Sequence, residues 1–229
     1  MTINLLDFFR YYTGGINQQE AVLLLQKCMP ASLLQDDAAW VKHYRTPDPA
    51  PEPVDGIVTP DLMARLTGYA PSAFDDVFCN DCNRLFKDTG FDQHLDAMQM
   101  LMANMMHETC NFVYMKEIAS GEAYNNRSDL GNGPNDGPKY KGAGVLQLTG
   151  RHNYQRLADG INDPKVMDGV DYVSETYPFT SAQIWIKENG LLNVCLNKGF
   201  ESCCVRINGG YNGYDDRVAK YAICQREMK

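Results

Sequence analysis

Apolar side chains recur at helical spacing along most of the chain after residue 55. The broadest apolar stripe runs through residues 92–109, with Asp92 predicted as the N-cap and Phe91 packed beside it. Its many methionines suit a deeply buried helix, because flexible thioethers fill irregular gaps in a core. We therefore expect a mainly α domain built around this helix. Together, the predicted helices lie near residues 60–67, 72–88, 92–109, 151–158, 178–189, 199–207 and 214–227.

A proline-dense segment at residues 47–53 divides the chain. It has almost no apolar side chains, which is typical of a stiff, extended linker. Residues 18–27 and 32–44 before it have helical periodicity. We predict a small N-terminal helical extension with its linker in residues 1–55, and one larger domain in residues 56–229.

Composition and charge exclude several classes of function. The chain has 229 residues, of which 44% are hydrophobic and 22% charged, as in ordinary globular proteins. A net charge of -8 disfavours nucleic acid and anionic membranes as partners. No apolar run reaches membrane-spanning length, and we expect no signal peptide. We predict that the protein does not insert into a membrane. We also predict that it is a monomer.

Eight cysteines without a secretion signal indicate reduced thiols rather than a disulfide framework. Cys79 and Cys82 have the spacing of a metal-ligand pair. A structural zinc site normally needs a second such pair, and the other cysteines do not provide one. We therefore predict no metal and no other cofactor.

Two glutamates are candidates for acid and base catalysis. Glu108 ends the buried helix, where apolar turns and the helix C-terminus would favour its protonated form, as a general acid requires. Glu117 follows nine residues later, and about 100° per residue places it on the opposite helix face. The helix must therefore break if both line one cleft, and Asn111 tolerates the left-handed backbone of such a break. Glu122 competes with Glu117 for the role of base, and the alternative for Glu108 is an exposed glutamate in the last turn of the helix.

Residues 127–144 contain five glycines and two prolines, which predicts an ordered loop. The loop leads into residues 145–149, which we predict as a strand with its two leucines facing the core and its odd-numbered positions facing outwards. Gln147 and Thr149 would then present an amide and a hydroxyl to sugar hydroxyls or to a water molecule. A solvent-facing edge strand explains the same pattern without a ligand.

Four segments, taken in order, resemble glycoside hydrolase family 19, which comprises chitinases and phage endolysins: His107–Thr109, Met115–Glu117, Tyr140–Tyr154 and Ile207–Gly210. The resemblance extends from about Thr59 to the C-terminus. It implies a lysozyme-like α+β fold with two helical lobes and minimal β structure. It also implies cleavage, with inversion, of β-1,4 bonds between N-acetylated sugars.

The resemblance also assigns roles to single residues. It implies that Glu108 is the general acid, that Glu117 is the general base and that the Thr149 hydroxyl helps to hold the attacking water. Ala143 stands where the family commonly has arginine. The residues implied to bind substrate or to complete the cleft are His107, Tyr140, Gln147, Asn153, Tyr154, Asn208 and Arg217.

Among the family's substrates, peptidoglycan is our prediction. The chain looks like an endolysin that is made in the host cytoplasm without a signal peptide. Such an enzyme reaches the cell wall through a holin pore. Residues 1–55 could then contribute to wall binding. Two alternatives stay open: a chitinase acting on chitin oligomers, and a noncatalytic wall-binding module that has kept the cleft and lost turnover.

Overall fold

The computed structural model describes residues 56–229, so the predicted helical extension and linker lie outside it. In this range the only β structure is two isolated bridges, which confirms the predicted mainly α class with minimal β. No helix among these residues is both long and apolar enough to cross a membrane. The nine α-helices of this range are α1 (Pro60–Thr67), α2 (Asp76–Thr89), α3 (Leu95–Glu108), α4 (Asp136–Lys139), α5 (Arg151–Ile161), α6 (Val170–Thr176), α7 (Gln183–Glu188), α8 (Leu191–Asn208) and α9 (Tyr214–Glu227).

Helix α3 is the centre of the core, as its apolar stripe predicts. Helix α9 packs along it more extensively than any other element among the described residues, and α8 packs against it as well. Because neighbours cover it on several sides, even polar positions are buried: the Gln99 amide donates to the Met228 carbonyl at 2.9 Å. A second, smaller cluster of buried side chains surrounds α5 and α6, in agreement with the predicted two-lobed domain.

The beginning of α3 differs from the prediction. The helix begins at Leu95, because residues 91–93 form a separate 3-10 turn. Asp92 lies inside that turn, so the prediction that it caps α3 is wrong. His94 occupies the cap position and makes no capping hydrogen bond with its side chain. Phe91 is fully buried, so the hydrophobic contact at the helix entrance is present even though the capping residue differs.

Other helix boundaries also shift. Helix α2 begins at Asp76 rather than at residue 72, because the Asp75 side chain accepts a hydrogen bond from the Phe78 amide at 2.8 Å. The predicted 199–207 helix is the second half of α8, which is interrupted at Gly199 by a non-helical backbone (φ 74°). In the predicted 178–189 helix, a 3-10 turn precedes α7. The short helices α4 and α6 were not predicted.

The chain reverses directly after α3. Cys110, Asn111 and Phe112 have φ values of 53°, 58° and 69°, three consecutive left-handed residues. The Thr109 hydroxyl supports the reversal, since it donates to the Met105 carbonyl at 2.7 Å and accepts from the Phe112 amide at 2.9 Å. The predicted break between Glu108 and Glu117 is confirmed.

The predicted strand at residues 145–149 is wrong. Ala143 pairs with Leu148 through two backbone hydrogen bonds, and the residues between them form a tight turn in which Gln147 has a φ of 54°. Val145, predicted to face outwards, is fully buried, because the turn breaks the alternation on which that prediction depended. Ala143 is itself buried and also forms a bridge with Lys116.

Asp81 of α2 joins this helix to the segment before α7. Its buried carboxylate accepts hydrogen bonds from the amides of Phe179 and Thr180 at 2.7 and 3.0 Å, and from the Thr180 hydroxyl at 2.5 Å. Burial disfavours the charged form and raises the pKa of Asp81 to about 6, although these hydrogen bonds act in the opposite direction.

We predict that Asp81 makes the stability of the domain depend on pH. The folded-state pKa lies above that of the unfolded chain, so the native state keeps a proton that the unfolded chain has already lost. The stabilisation is complete below about pH 4 and is lost as the pH rises through about 6, a change of about 3 kcal/mol in the free energy of unfolding.

Urea denaturation between pH 4 and pH 7 measures this change. In Asp81→Asn the pH-dependent component should disappear, whereas Asp88→Asn, a change at an exposed position of the same helix, should retain it. An unchanged pH profile in Asp81→Asn would show that other groups cause the dependence.

Candidate active site

A buried arginine joins α3 to α9. The Arg217 side chain is 2% exposed, and its Nη1 donates to Asn104 Oδ1 at 2.6 Å. Its Nη2 donates to Glu108 Oε1 at 2.5 Å. Asn104 and Glu108 are four residues apart and therefore share one face of α3. Because it is buried, Arg217 holds Glu108 in place, and the prediction that it completes and orients the cleft agrees with this position.

The surroundings of Glu108 differ from those predicted. Instead of apolar turns alone, its carboxylate faces the guanidinium of Arg217, a residue that follows it by 109 positions in the chain. The side chain is 29% exposed. Its second oxygen, Oε2, has no hydrogen bond from any other residue of the described range and is available to a substrate.

His107 anchors the turn that leads into α9. Its Nδ1 lies 2.6 Å from Asp216 Oδ2, and its ring packs on Gly213, where an added Cβ would overlap the imidazole. Burial would raise the pKa of Asp216, but hydrogen bonds from His107 and Lys220 keep it below its ordinary value. His107 was predicted to bind substrate, and the structure shows that one side of its ring already has a protein partner.

Asn208 lies at the C-terminal end of α8, directly before the left-handed Gly209. Its amide nitrogen is buried and has no hydrogen-bond partner within the described range. An unpaired buried donor is costly, typically by about 1–3 kcal/mol. Its predicted role in completing the cleft is compatible with this position.

Glu117 lies in the loop beyond the chain reversal. Its Oε1 accepts a hydrogen bond from the Tyr124 hydroxyl at 3.1 Å, and its Oε2 accepts one from the Gly142 amide at 2.9 Å. Burial, and then the hydrogen bond to Glu117, raise the pKa of Tyr124, so the phenol remains a donor. Sequence reasoning missed Tyr124, which follows Glu122 by two residues in a 3-10 turn.

Glu122, the competing candidate for the base, is exposed. Its carboxylate makes no hydrogen bond within residues 56–229. Glu117 is therefore the more firmly oriented of the two carboxylates, which is the property that a catalytic base needs.

Gly142 allows two side chains to approach the backbone closely. A Cβ added at this position would overlap Gln147 Oε1 and would lie 3.1 Å from Glu117 Oε2. The Gln147 amide nitrogen donates to the Gly144 carbonyl at 3.0 Å. The structure thus places Gln147 directly beside Glu117, although the backbone there is a turn and not the predicted strand.

Three predicted site residues, Gln147, Thr149 and Asn153, line a cavity of about 350 Å³. Trp185 and Glu188 of α7 line it as well. The Thr149 hydroxyl donates to the Gln147 carbonyl at 2.8 Å. The Asn153 amide donates to the Thr149 carbonyl at 2.8 Å, which leaves its own oxygen free to accept. This wall of the site is polar and held by its own hydrogen bonds.

Tyr140 and Tyr154 do not line the site. They are 3% and 0% exposed, and their rings contact edge to face at 5.1 Å between centroids. The Tyr154 hydroxyl donates to the Lys141 carbonyl at 2.6 Å, and burial raises its pKa. Both side chains belong to the smaller core cluster and support the 140–150 loop from beneath, a position that does not support their predicted contact with substrate.

The described residues contain no group of three or more His, Cys, Asp or Glu that could hold a metal ion. Cys79 and Cys82 are free thiols on the buried face of α2. Burial, followed by the charges of nearby aspartates, raises the pKa of Cys79 to about 12. A thiol in this environment stays protonated and packs as a small apolar side chain.

Comparison with known proteins finds sequence similarity to a protein of a glycosidase family. No protein-family model matches the chain. Over 112 residues the chain is 32% identical to a glycosyl hydrolase family 19 domain-containing protein of Haemophilus influenzae. The matched region comprises 46% of this chain and 51% of that protein, so the chain spans about half the length of this curated relative.

Solved structures give the fold. Chitinase C of Streptomyces griseus has a TM-score of 0.55 at 17% identity, and a mutant of chitinase C has a TM-score of 0.54 at 16% identity. Each match covers 76% of this chain and 94% of the chitinase chain. The described domain therefore has the chitinase C fold, which confirms the predicted lysozyme-like, mainly helical architecture.

We predict that Arg217→Lys destabilises the domain by about 1–3 kcal/mol. A single ammonium cannot reproduce the two-pronged contact to Asn104 and Glu108, so one buried partner is left unsatisfied. Urea denaturation measures the loss. Arg226→Lys, at a 65% exposed side chain, is the control and should change stability by less than about 0.5 kcal/mol. Equal effects of both substitutions would contradict the anchoring role of Arg217.

Proposed function

We propose that the chain is a glycoside hydrolase of the family 19 type that cleaves β-1,4 bonds between N-acetylated sugars with inversion. The observation that carries this proposal is the pair of carboxylates on either side of the reversal at residues 110–112, Glu108 held by a buried cation and Glu117 held by two donors. An inverting site needs its two carboxyl groups about 6.5–9.5 Å apart, so that a water can enter between the base and the anomeric carbon. The family named for the Haemophilus influenzae relative supports the same reaction.

In this mechanism Glu108 is the general acid. Its free Oε2 donates a proton to the glycosidic oxygen as the bond to the anomeric carbon breaks. Glu108 gains negative charge in this step, and the Arg217 guanidinium at Oε1 stabilises that charge without having to reorganise.

Glu117 is the general base. It accepts a proton from the water that attacks the anomeric carbon from the opposite face. Tyr124 and Gly142 fix its orientation, since each donates to a different carboxylate oxygen. Thr149 helps to hold the water and Gln147 binds the sugar beside Glu117, while Asn153 and Asn208 contribute further polar contacts to the glycan.

We propose peptidoglycan as the substrate and lysis of the bacterial cell wall as the role, in the manner of a phage endolysin released from the host cytoplasm. Residues 1–55 would then assist binding to the wall. The resemblance of four segments of the chain to a family that includes phage endolysins supports this choice.

A chitinase is the second candidate, favoured by the fold that the domain shares with chitinase C. Parallel digestion of purified peptidoglycan and chitin oligomers, with mass spectrometry of the new reducing ends, separates the two. Fragments ending in N-acetylmuramic acid are the expected result. Products from chitin alone would establish the chitinase, and products from neither would favour a noncatalytic wall-binding module.

We predict that Glu108→Gln and Glu117→Gln each reduce turnover by about 100-fold or more, because each removes a proton-transfer group and nearly preserves its shape. Release of reducing ends measures the effect. Glu122→Gln is the matched control and should retain wild-type turnover. Glu108→Gln also weakens the contact to Arg217, so its thermal unfolding is recorded alongside. Loss of activity in Glu122→Gln, with activity kept in Glu117→Gln, would reassign the base.

We also predict that Gly142→Ala lowers kcat by about 10- to 100-fold, because the new methyl group displaces Gln147 and presses on Glu117. Gly160→Ala on α5 is the control, assayed on glycan strands without peptide branches, since a Cβ there meets nothing within 4 Å. The control should keep full activity and gain up to about 1 kcal/mol of stability. An unaffected kcat in Gly142→Ala would exclude close positioning of these two side chains as a catalytic requirement.

A further inference from the structure

A second and larger cavity, of about 610 Å³, lies where α2, α5 and α7 meet. Its volume is in the range of about 300–1,000 Å³ that is typical of small-molecule sites. None of the residues assigned to catalysis lines it. Its charged and polar lining consists of Arg84, Asp88, Arg156, Asp159, Gln183 and Lys187.

Gln183 is the most unusual member of this lining. The residue is 6% exposed, and its side-chain amide makes no hydrogen bond to any other residue of the described range. Its amide nitrogen and oxygen are not among the fully buried polar atoms that lack a partner, so they reach the solvent of the cavity. An amide that faces a cavity without a protein partner is available to a ligand that can both donate and accept.

The charges around Gln183 indicate what kind of ligand fits. Arg84 and Lys187 form no ion pair or hydrogen bond with other residues of the 56–229 range, so two cations face the cavity uncompensated by direct contact. Asp88 and Asp159 on the rim add a place for an ammonium group. The cavity therefore suits a ligand with carboxylates and an amine.

The cavity adjoins the smaller one, which is lined by Gln147, Thr149 and Asn153 but by neither Glu108 nor Glu117. Arg156 and Ile184 line both this cavity and the smaller one that contains Gln147 and Thr149. Arg156 lies at the boundary, where it forms an ion pair with Glu188. A branch attached to a sugar beside Gln147 could thus pass along Arg156 into the larger cavity.

We propose that this cavity binds the short peptide that branches from the glycan strand of peptidoglycan, an inference that rests on the proposed glycosidase function. Such peptides carry several carboxylates and a diamino acid, which match Arg84, Lys187 and Gln183 on one side and the rim aspartates on the other. Chitin has no charged branch. The cavity would therefore favour peptidoglycan over chitin through contacts outside the catalytic residues.

The first test compares two substrates that share the same β-1,4 bonds: peptidoglycan strands with their peptides, and the same strands after an amidase has removed them. Wild type should have the higher kcat/KM on peptide-bearing strands. The preference is the kcat/KM on peptide-bearing strands divided by the kcat/KM on peptide-free strands. In Arg84→Gln/Lys187→Gln this ratio should fall about 10- to 100-fold, because KM on peptide-bearing strands rises. The control Arg226→Gln/Lys229→Gln, with the same loss of charge at exposed positions, should keep the wild-type ratio.

The second test needs no catalysis. A free stem tripeptide of alanine, glutamate and diaminopimelate is titrated into the full chain by NMR. Saturable shifts of the Arg84, Gln183 and Lys187 amide signals are expected in wild type, and their loss is expected in Arg84→Gln/Lys187→Gln. If these signals do not shift and the wild type shows no preference for peptide-bearing strands, the peptide site is overturned. The proposed glycosidase function is unaffected by that result as long as the chain still cleaves glycan. Shifts at these residues without cleavage of either polymer would support the site and reject the glycosidase.

Discussion

The buried guanidinium of Arg217 is the contact on which the rest of the domain depends. A charge removed from water is tolerated only where it is paired and hydrogen-bonded, and α3 supplies both partners from one face, Asn104 and Glu108. This requirement fixes α9 against the central helix. The docking of α9 also places the turn that precedes it against α3. In this turn the His107 ring packs on Gly213, where any side chain would overlap the imidazole. The interaction that holds the two main helices together is thus the one that orients the proposed acid.

The second half of the site follows a different principle. Beyond the three left-handed residues the chain has little regular structure, and Glu117 is held by single hydrogen bonds from Tyr124 and Gly142. Tyr140 and Tyr154, both buried, support this region. Isolated bridges of Ala143 with Lys116 and with Leu148 hold the neighbouring segments of the loop together. A carboxylate on a rigid helix end therefore stands opposite one on a loop. Such a division is common in enzymes, in which a scaffold positions the loops that carry the chemistry.

Much of the scaffold could be predicted from local signals in the sequence. The apolar stripe of α3 and the break at Asn111 each depend on neighbours within a few residues. The strand at residues 145–149 was predicted wrongly because alternating residue types can also occur in a tight turn. Tyr140 and Tyr154 were placed against substrate, yet their burial results from packing partners that lie elsewhere in the sequence. Asp81 and Tyr124 went unnoticed for the same reason, since their partners are defined only by the fold.

The anomeric configuration of the first product tests the central claim most directly. Purified peptidoglycan strands are digested in an NMR tube, and the signals of the new reducing ends are recorded before the anomers equilibrate. Hydrolysis by Glu108 and Glu117 with inversion predicts that the α-anomer is formed first. First formation of the β-anomer would contradict the inverting mechanism. Failure to generate any new reducing end from peptidoglycan or from chitin would contradict the assignment as a glycoside hydrolase.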